Sequence, residues 1–218
     1  MSNIIEIRSR IPEDIFDYQQ LLDNLSQYGN IRNCIGRLLD SGEIIRIRKG
    51  LYTFAEPLRR SPLCRELLAN LIYGPSYITA DYALSYYGLI PERVTVLTSV
   101  TTGRSRSFST PFGVFTYRSL SGALYAPGAT LETSGKSPFL IATPEKALID
   151  RVWQDNHFSG TTISGYDAYL RDDLRLDFDR LRELDFKRFQ EFADVRDSRK
   201  IDNLVKYIYS ARLKIQHR

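Results

Sequence analysis

Apolar residues recur at helical spacing in two successive segments near the start of the chain. The first spans residues 12–29 and ends at Gly29, and the second begins at Asn30. The spaced residues are Ile15, Tyr18, Leu21, Leu22 and Leu25 in the first segment, and Ile31, Cys34, Ile35, Leu38 and Leu39 in the second. This pattern predicts two helices joined by a short turn. Asn30 is expected to cap the second helix by accepting a backbone hydrogen bond, and Cys34 to be a small core residue.

The pattern changes to alternation in the stretch EIIRIRKGLYTF. Two isoleucines alternate with two arginines there, which predicts a strand with Ile45 and Ile47 on one face and Arg46 and Arg48 on the other. Lys49-Gly50 is the predicted turn, and LYTF is the predicted return strand. A helix, a turn, a second helix and a basic hairpin, in this order, predict a winged helix-turn-helix domain over residues 1–58.

Polar residues occupy the face of the second predicted helix opposite its apolar stripe. If the domain binds DNA, Arg32, Asn33 and Arg37 are expected to reach base edges, whereas the hairpin cations are expected to contact phosphates. The predicted DNA-binding set is therefore Asn30, Arg32, Asn33, Arg37, Arg46, Arg48 and Lys49. Two plainer interpretations remain open: a solvated helix face, and an edge strand protected from aggregation by its charges.

The distribution of charge favours the DNA-binding interpretation. The net charge is +4, and residues 30–60 contain seven basic and three acidic residues, so the rest of the chain sums to zero. Two cysteines, with no apolar signal-peptide core and no membrane-length apolar run, predict a cytoplasmic protein that does not contact a membrane. With only His157 and His217 and no Cys-x-x-Cys pair, no metal or cofactor is expected.

The remainder of the chain predicts a second domain over residues 63–218, after the linker AEPLRRSP. Helices are predicted in LCRELLANLIYG, in YITADYALSYYGL with Thr79 as its cap, and in PEKALIDRVW with Thr143 as its cap. RVTVLTSVTT and GVFTYRSL are predicted to pair as a hairpin around the basic loop 103–112. The chain is predicted to be largely helical from Tyr166 onward. The predicted class is α+β: a winged helix-turn-helix, then a mixed α/β domain with a central hairpin and a helical C-terminal third.

Four segments, in this order, resemble the AbiEi family: GEIIRIRKGLYTF, YITADYALSYYGLIP, VTVLTS and ATPEKALIDRVW. The resemblance runs from about residue 16 to residue 153, and only NIIEIRSR precedes it where the family often has a further helix. AbiEi-like transcriptional regulators are antitoxins of type IV toxin–antitoxin systems. The resemblance implies repression of the protein's own operon through double-stranded operator DNA. It also implies neutralisation of a nucleotidyltransferase-type toxin without a stable complex. A homodimer on DNA is compatible with this role.

Parts of the sequence are also compatible with two other functions. A nucleic-acid-processing enzyme could use Glu145, Lys146 and Asp150, but five residues place the two carboxylates about 140° apart around a helix. No P-loop, HExxH or Gly-x-Ser-x-Gly pattern is present either, so no catalytic residue and no enzyme are predicted. A protein- or RNA-interaction module could instead use Arg104 and Arg106 of the 103–112 loop. Trp153 and Tyr86 are expected in the core, and His157 in a loop with no catalytic role.

Overall fold

The computed structural model describes residues 4–216 and has an α+β fold. The chain forms two compact units. The first contains the described residues up to Arg65 together with Thr110–Phe112, and the second contains Glu66–Ser109 and the chain from Gly113 onward. Within the described part of the chain, no helix is long and apolar enough to cross a membrane.

The first unit packs three helices against a small antiparallel sheet whose strand order is β1-β3-β2. Its core is a single cluster of buried apolar residues that includes Phe16, Leu21, Ile35 and Phe54. Cys34 belongs to this cluster, as predicted. The elements are α1 (Ile4–Arg10), β1 (Ile15–Asp17), α2 (Tyr18–Leu25), α3 (Ile31–Asp40), β2 (Ile44–Arg48), β3 (Leu51–Phe54) and a 3-10 turn (Glu56–Leu58).

Two features at the start of the first unit differ from the sequence-based prediction. Residues 12–17 are not helical, because Ile15–Asp17 pairs with β3 as a third strand, with Ile15 opposite Thr53. The helix begins only after Asp17, whose carboxylate accepts from the backbone N–H of Gln20 while the Gln20 side chain accepts in return. In addition, α1 forms within NIIEIRSR, so a further helix precedes the predicted pair.

The hairpin forms where it was predicted, but its alternation is interrupted. Gly50 has a φ of 85°, which suits the turn at Lys49-Gly50. The register with β3 shifts between Arg46 and Arg48, and this bulge turns both Ile44 and Ile47 into the interior. The prediction that Ile45 and Ile47 share one buried face was therefore wrong, because Ile45 is only half-buried.

The second unit is built on a six-stranded mixed sheet with the order β6-β7-β5-β4-β9-β8. Helix α7 is central, since it contacts α5, α10, α11 and β9. The elements are α4 (Arg65–Ile72), β4 (Ser76–Ile78), α5 (Ala80–Tyr86), β5 (Leu97–Thr101), β6 (Arg106–Thr110), β7 (Gly113–Ser119), α6 (Gly122–Tyr125), β8 (Ala129–Ser134), β9 (Ser137–Ala142), α7 (Pro144–Gln154), α8 (Gly165–Ala168), a π-helical turn (Tyr169–Asp173), α9 (Phe178–Glu183), α10 (Phe186–Asp194) and α11 (Arg199–Gln216). His217 lies outside the described residues.

The predicted hairpin between β5 and β7 is wrong, because these two strands run parallel, with Leu97 opposite Phe115. The intervening segment is not a simple loop. Its residues 106–110 form β6, the edge strand beyond β7, and a two-residue turn then leads into β7. After β5 the chain first forms the edge strand β6 and then turns back, so that β7 lies between β6 and β5 and runs parallel to β5. The hairpin in this part of the chain is therefore β6–β7, and it lies at the edge of the sheet instead of at its centre.

A cluster of buried polar residues, which we call the buried ion cluster, lies around α7. It consists of Thr79, Lys146, Asp150 and Arg196. Asp150 is fully buried; it accepts from Lys146 Nζ at 2.5 Å, from Thr79 Oγ1 at 2.8 Å and from the Arg196 guanidinium. Thr79 occupies the N-cap position of α5 as predicted, but its hydroxyl bonds Asp150 instead of the helix. Burial lowers the pKa values of Lys146 and Arg196, since Asp150 only partly offsets the loss of water.

The other predicted features of α7 have mixed outcomes. Thr143 caps the helix through its hydroxyl, which accepts from the Lys146 N–H, and Pro144 is the first helical residue, as predicted. Trp153, near the end of the helix, was expected in the core but is 38% exposed. Tyr86 was expected there too and is 41% exposed, although its ring still packs edge-on against Phe139.

Candidate nucleic-acid interface

Helix α3 is held in the first unit by its inner face and by its N-terminal cap. Cys34, Ile35 and Leu38 point into the core. Asn30 accepts from the Asn33 N–H at 3.1 Å through its side-chain oxygen, which confirms the predicted cap. Because the cap already occupies the side-chain oxygen of Asn30, this oxygen is engaged within the protein. DNA binding by Asn30 stays a prediction. These contacts fix the orientation of α3 in the first unit and so determine which of its side chains point outward.

The outer face of α3 carries the polar residues that the sequence assigned to base recognition. We call this set the recognition face: Arg32, Asn33, Gly36, Arg37 and Asp40. The four polar side chains are exposed, and together with Tyr28 they line an open groove of about 700 Å³. Among the described residues, the Arg32 side chain has no hydrogen bond or ion pair, and that of Arg37 contacts only Cys34 Sγ, at 3.3 Å. These donors are free to meet a ligand.

The three cations of the hairpin are constrained to different degrees. Arg46 is exposed and lies over the ring of Tyr52, with its guanidinium carbon 5.9 Å from the ring centroid. Arg48 is half-buried and donates to the Lys49 carbonyl at 3.0 Å, so it braces the turn. Lys49 is exposed at the tip and makes no ion pair within the described chain. Of the three, Lys49 is the most available to a phosphate.

The C-terminal end of the first unit is fastened by a residue that the sequence did not single out. Asp14 forms an ion pair with Arg8 at 2.5 Å and accepts from the backbone N–H groups of Arg60 and Ser61. Burial alone would raise the pKa of Asp14, but these hydrogen bonds outweigh it and lower the pKa below its usual value. A lone aspartate before a strand gives no sequence signal for such a role.

The basic segment of the second unit is engaged within its own fold. Phe108 packs against Tyr73 and Tyr117 with ring centroids 5.9 and 5.7 Å apart, and Arg106 lies over the ring of Tyr73. The Arg106 side chain is nevertheless exposed, and so is Arg104 in the extended segment before β6. Binding of a partner by these two arginines stays a prediction.

The residues considered for catalysis lie in the interior of the second unit. Lys146 and Asp150 are in the buried ion cluster, and Glu145 is 4% exposed with Oε1 accepting from the Asp185 N–H. The spacing argument from the sequence agrees with this arrangement, since Glu145 and Asp150 serve different neighbours. In the part of the chain that the structure describes, no group of three His, Cys, Asp or Glu residues is placed to hold a metal.

Comparisons with known proteins are informative for the fold alone. No protein-family model matches the chain, and no curated protein matches it. Among solved structures, it is similar to the crystal structure of the RV2827C protein from Mycobacterium tuberculosis, over 93% of this chain and 80% of that chain. The TM-score is 0.50 and the sequence identity is 14%. The two chains thus share an α+β fold.

Proposed function

We propose that this protein is an AbiEi-like transcriptional repressor of its own operon, and that its first unit is a winged helix-turn-helix DNA-binding domain. One observation carries the proposal. Arg32, Asn33 and Arg37 are exposed together on the outer face of α3. Among the described residues, the hydrogen bond from Arg37 to Cys34 Sγ is the only one that their side chains make. Arginine and asparagine are the side chains that pair bidentately with guanine and adenine in the major groove. The hairpin that follows α3 adds Arg46 and Lys49 for phosphates.

The same proposal gives the second unit an antitoxin role against a nucleotidyltransferase-type toxin, without a stable complex. This half rests on the resemblance of YITADYALSYYGLIP and ATPEKALIDRVW to the AbiEi family. We place both roles in the cytoplasm, where the two buried cysteine thiols would stay reduced. No catalytic residue, metal or cofactor is required, and a homodimer on an inverted-repeat operator is compatible with the proposal.

The experiment that tests the repressor role is DNA binding by fluorescence anisotropy. The protein is titrated into the DNA upstream of its own gene and into scrambled DNA of equal length, at two salt concentrations. We expect tighter binding to the upstream DNA, and a slope of log K against log salt of about −0.9 for each phosphate contacted. Equal, weak binding to both duplexes would reject the repressor role.

Gly36 supplies a second prediction, in which folding and binding change in opposite directions. A glycine inside a helix costs about 0.5–1 kcal/mol relative to alanine, and a Cβ at Gly36 would meet no protein atom within 4 Å. If the backbone of α3 approaches the DNA closely at this point, Gly36→Ala should raise the melting temperature and weaken operator binding. The two measurements are thermal unfolding and the anisotropy titration.

A matched control for Gly36 is Gly29, which lies in the turn before α3 and also has open space at its Cβ position. Gly29→Ala should not reproduce the combination of higher melting temperature and weaker binding. A Gly36→Ala protein that is more stable and binds the operator as tightly as the native chain would show that α3 keeps its distance from DNA at this residue.

A further inference from the structure

The second unit has a pocket at the carboxyl end of β7, beside its parallel neighbour β5. This Arg118 pocket has a volume of about 420 Å³ and is lined by Ser105, Arg118, Ser119, Leu120, Trp153, Gln154 and Asn156. Its volume lies within the usual range for small-molecule sites.

Among the residues that the structure describes, Arg118 is the only charged one that lines the pocket. Its guanidinium has one weak contact in the described structure, from Nη1 to the carbonyl of Gln154 at 3.5 Å, and no carboxylate within ion-pair distance. The side chain of Ser119 and the amides of Gln154 and Asn156 also have no protein partner among the described residues. The lining of the pocket therefore offers one positive charge beside neutral hydrogen-bonding groups, which suits an anion. Arg118 also lines a neighbouring cavity, together with Asp81, Arg151 and Asp155.

One wall of the pocket is the C-terminal end of α7, and hydrogen bonds to Asp155 hold this end in place. Asp155, the residue after α7, accepts from Arg151 at 2.7 Å, from the Tyr169 hydroxyl at 2.9 Å and from the His157 N–H at 2.9 Å. Burial alone would raise the pKa of Asp155, but these hydrogen bonds outweigh it and lower the pKa below its usual value. Gln154 and Asn156 on either side of Asp155 are thus presented by a fixed turn.

Trp153 contributes an aromatic surface next to this charge. It is 38% exposed, and the guanidinium carbon of Arg196 lies 5.1 Å from its ring. Arg196 itself is buried and bonded to Asp150, so the indole rests on a rigid support. An exposed ring on such a support is suited to stacking with a flat ligand such as a nucleic-acid base.

We propose that the Arg118 pocket binds a nucleoside monophosphate, with the phosphate at Arg118 and the base against Trp153. Arg118 and the Ser119 hydroxyl donate to the phosphate oxygens. The amides of Gln154 and Asn156 offer both donors and acceptors to the base. This site goes beyond the proposed DNA-binding function: it lies in the second unit and does not depend on the recognition face.

The test uses Trp153 as its own probe, because it is the single tryptophan in the chain. AMP, GMP, CMP and UMP are each titrated into the full-length protein while tryptophan fluorescence is recorded, with ribose 5-phosphate and inorganic phosphate as comparisons. We expect saturable quenching by at least one nucleotide, at an affinity at least about tenfold above that of ribose 5-phosphate. Arg118→Gln should weaken the binding by at least about tenfold.

Arg182→Gln serves as the matched control, since Arg182 is an exposed arginine of the same unit that does not line the pocket. It should bind the nucleotide as the native protein does. The proposal is rejected if no nucleotide quenches saturably, if ribose 5-phosphate binds as tightly as the nucleotide, or if Arg118→Gln binds unchanged while still folded by circular dichroism. None of these outcomes bears on operator binding, which the anisotropy titration tests separately.

Discussion

Asp150→Asn is expected to lower the free energy of unfolding by about 3–5 kcal/mol, because it removes the anion that pairs with two buried cations, Lys146 and Arg196. Asp150 is fully buried and bonds Lys146, Arg196 and Thr79. Asparagine keeps the size of the side chain but cannot compensate two positive charges. Burial already lowers the pKa of Lys146, so the variant should favour the neutral amine there. Urea unfolding followed by Trp153 fluorescence measures the change in the second unit.

The matched control for Asp150 is Asp179→Asn. Asp179 also pairs with an arginine, Arg182, at 3.1 Å, but its side chain is 85% exposed. Water screens that pair, so its loss should be small by comparison. Lys146→Met added to Asp150→Asn should recover part of the lost stability, since one buried charge is removed. Equal stability of Asp150→Asn and the native chain would mean that the buried ion cluster is not what holds α7 in place.

Arg37→Ala and Lys49→Ala are expected to weaken DNA binding in different ways. If Arg37 makes a bidentate contact with a base, its loss should reduce the preference for operator over scrambled DNA by about 1–3 kcal/mol. Lys49 lies at the exposed tip of the hairpin. Its loss should weaken binding to both duplexes alike and reduce the salt slope by about 0.9. Anisotropy titrations of each variant on both duplexes measure these effects.

Arg46→Ala removes a positive charge and also a contact with the Tyr52 ring. A loss of DNA binding in this variant could therefore come from the missing charge or from a change in the shape of the hairpin. Thermal unfolding of each variant should accompany its titration, so that a loss of binding can be separated from a loss of folding. Equal losses on operator and scrambled DNA for both Arg37→Ala and Lys49→Ala would contradict the division of roles between α3 and the hairpin.

Local signals predicted the local structure well. Asn30 before α3, Thr143-Pro144 at the start of α7 and Gly50 in the hairpin each act through hydrogen bonds or dihedral angles within a few residues. The strands that were missed lack such signals. Ile15–Asp17 continues a helical spacing and becomes a strand only because β3 pairs with it. Residues 106–110 are polar enough to read as a loop.

The parts that join distant residues could not be predicted from spacing. Asp150 bonds Thr79, which lies 71 residues away in the chain, and Arg196, which lies 46 residues away. The spacing of residues within one element does not predict such contacts. The same holds for Trp153, whose exposure depends on elements that lie far away in sequence. The recognition face was predicted correctly as a surface, because the apolar stripe of α3 defines its opposite face. Its function as a DNA reader stays a prediction.

The position of Arg196 has a consequence for how the protein is made on the ribosome. Apart from Thr110–Phe112, the first unit consists of the chain up to Arg65, and its sheet joins residues fewer than 40 apart, such as Ile15 and Thr53. The centre of the second unit, by contrast, needs a cation that is translated 46 residues after Asp150. Because domains fold as units and earlier ones first, a nascent chain should acquire a folded N-terminal unit well before its C-terminal unit can close.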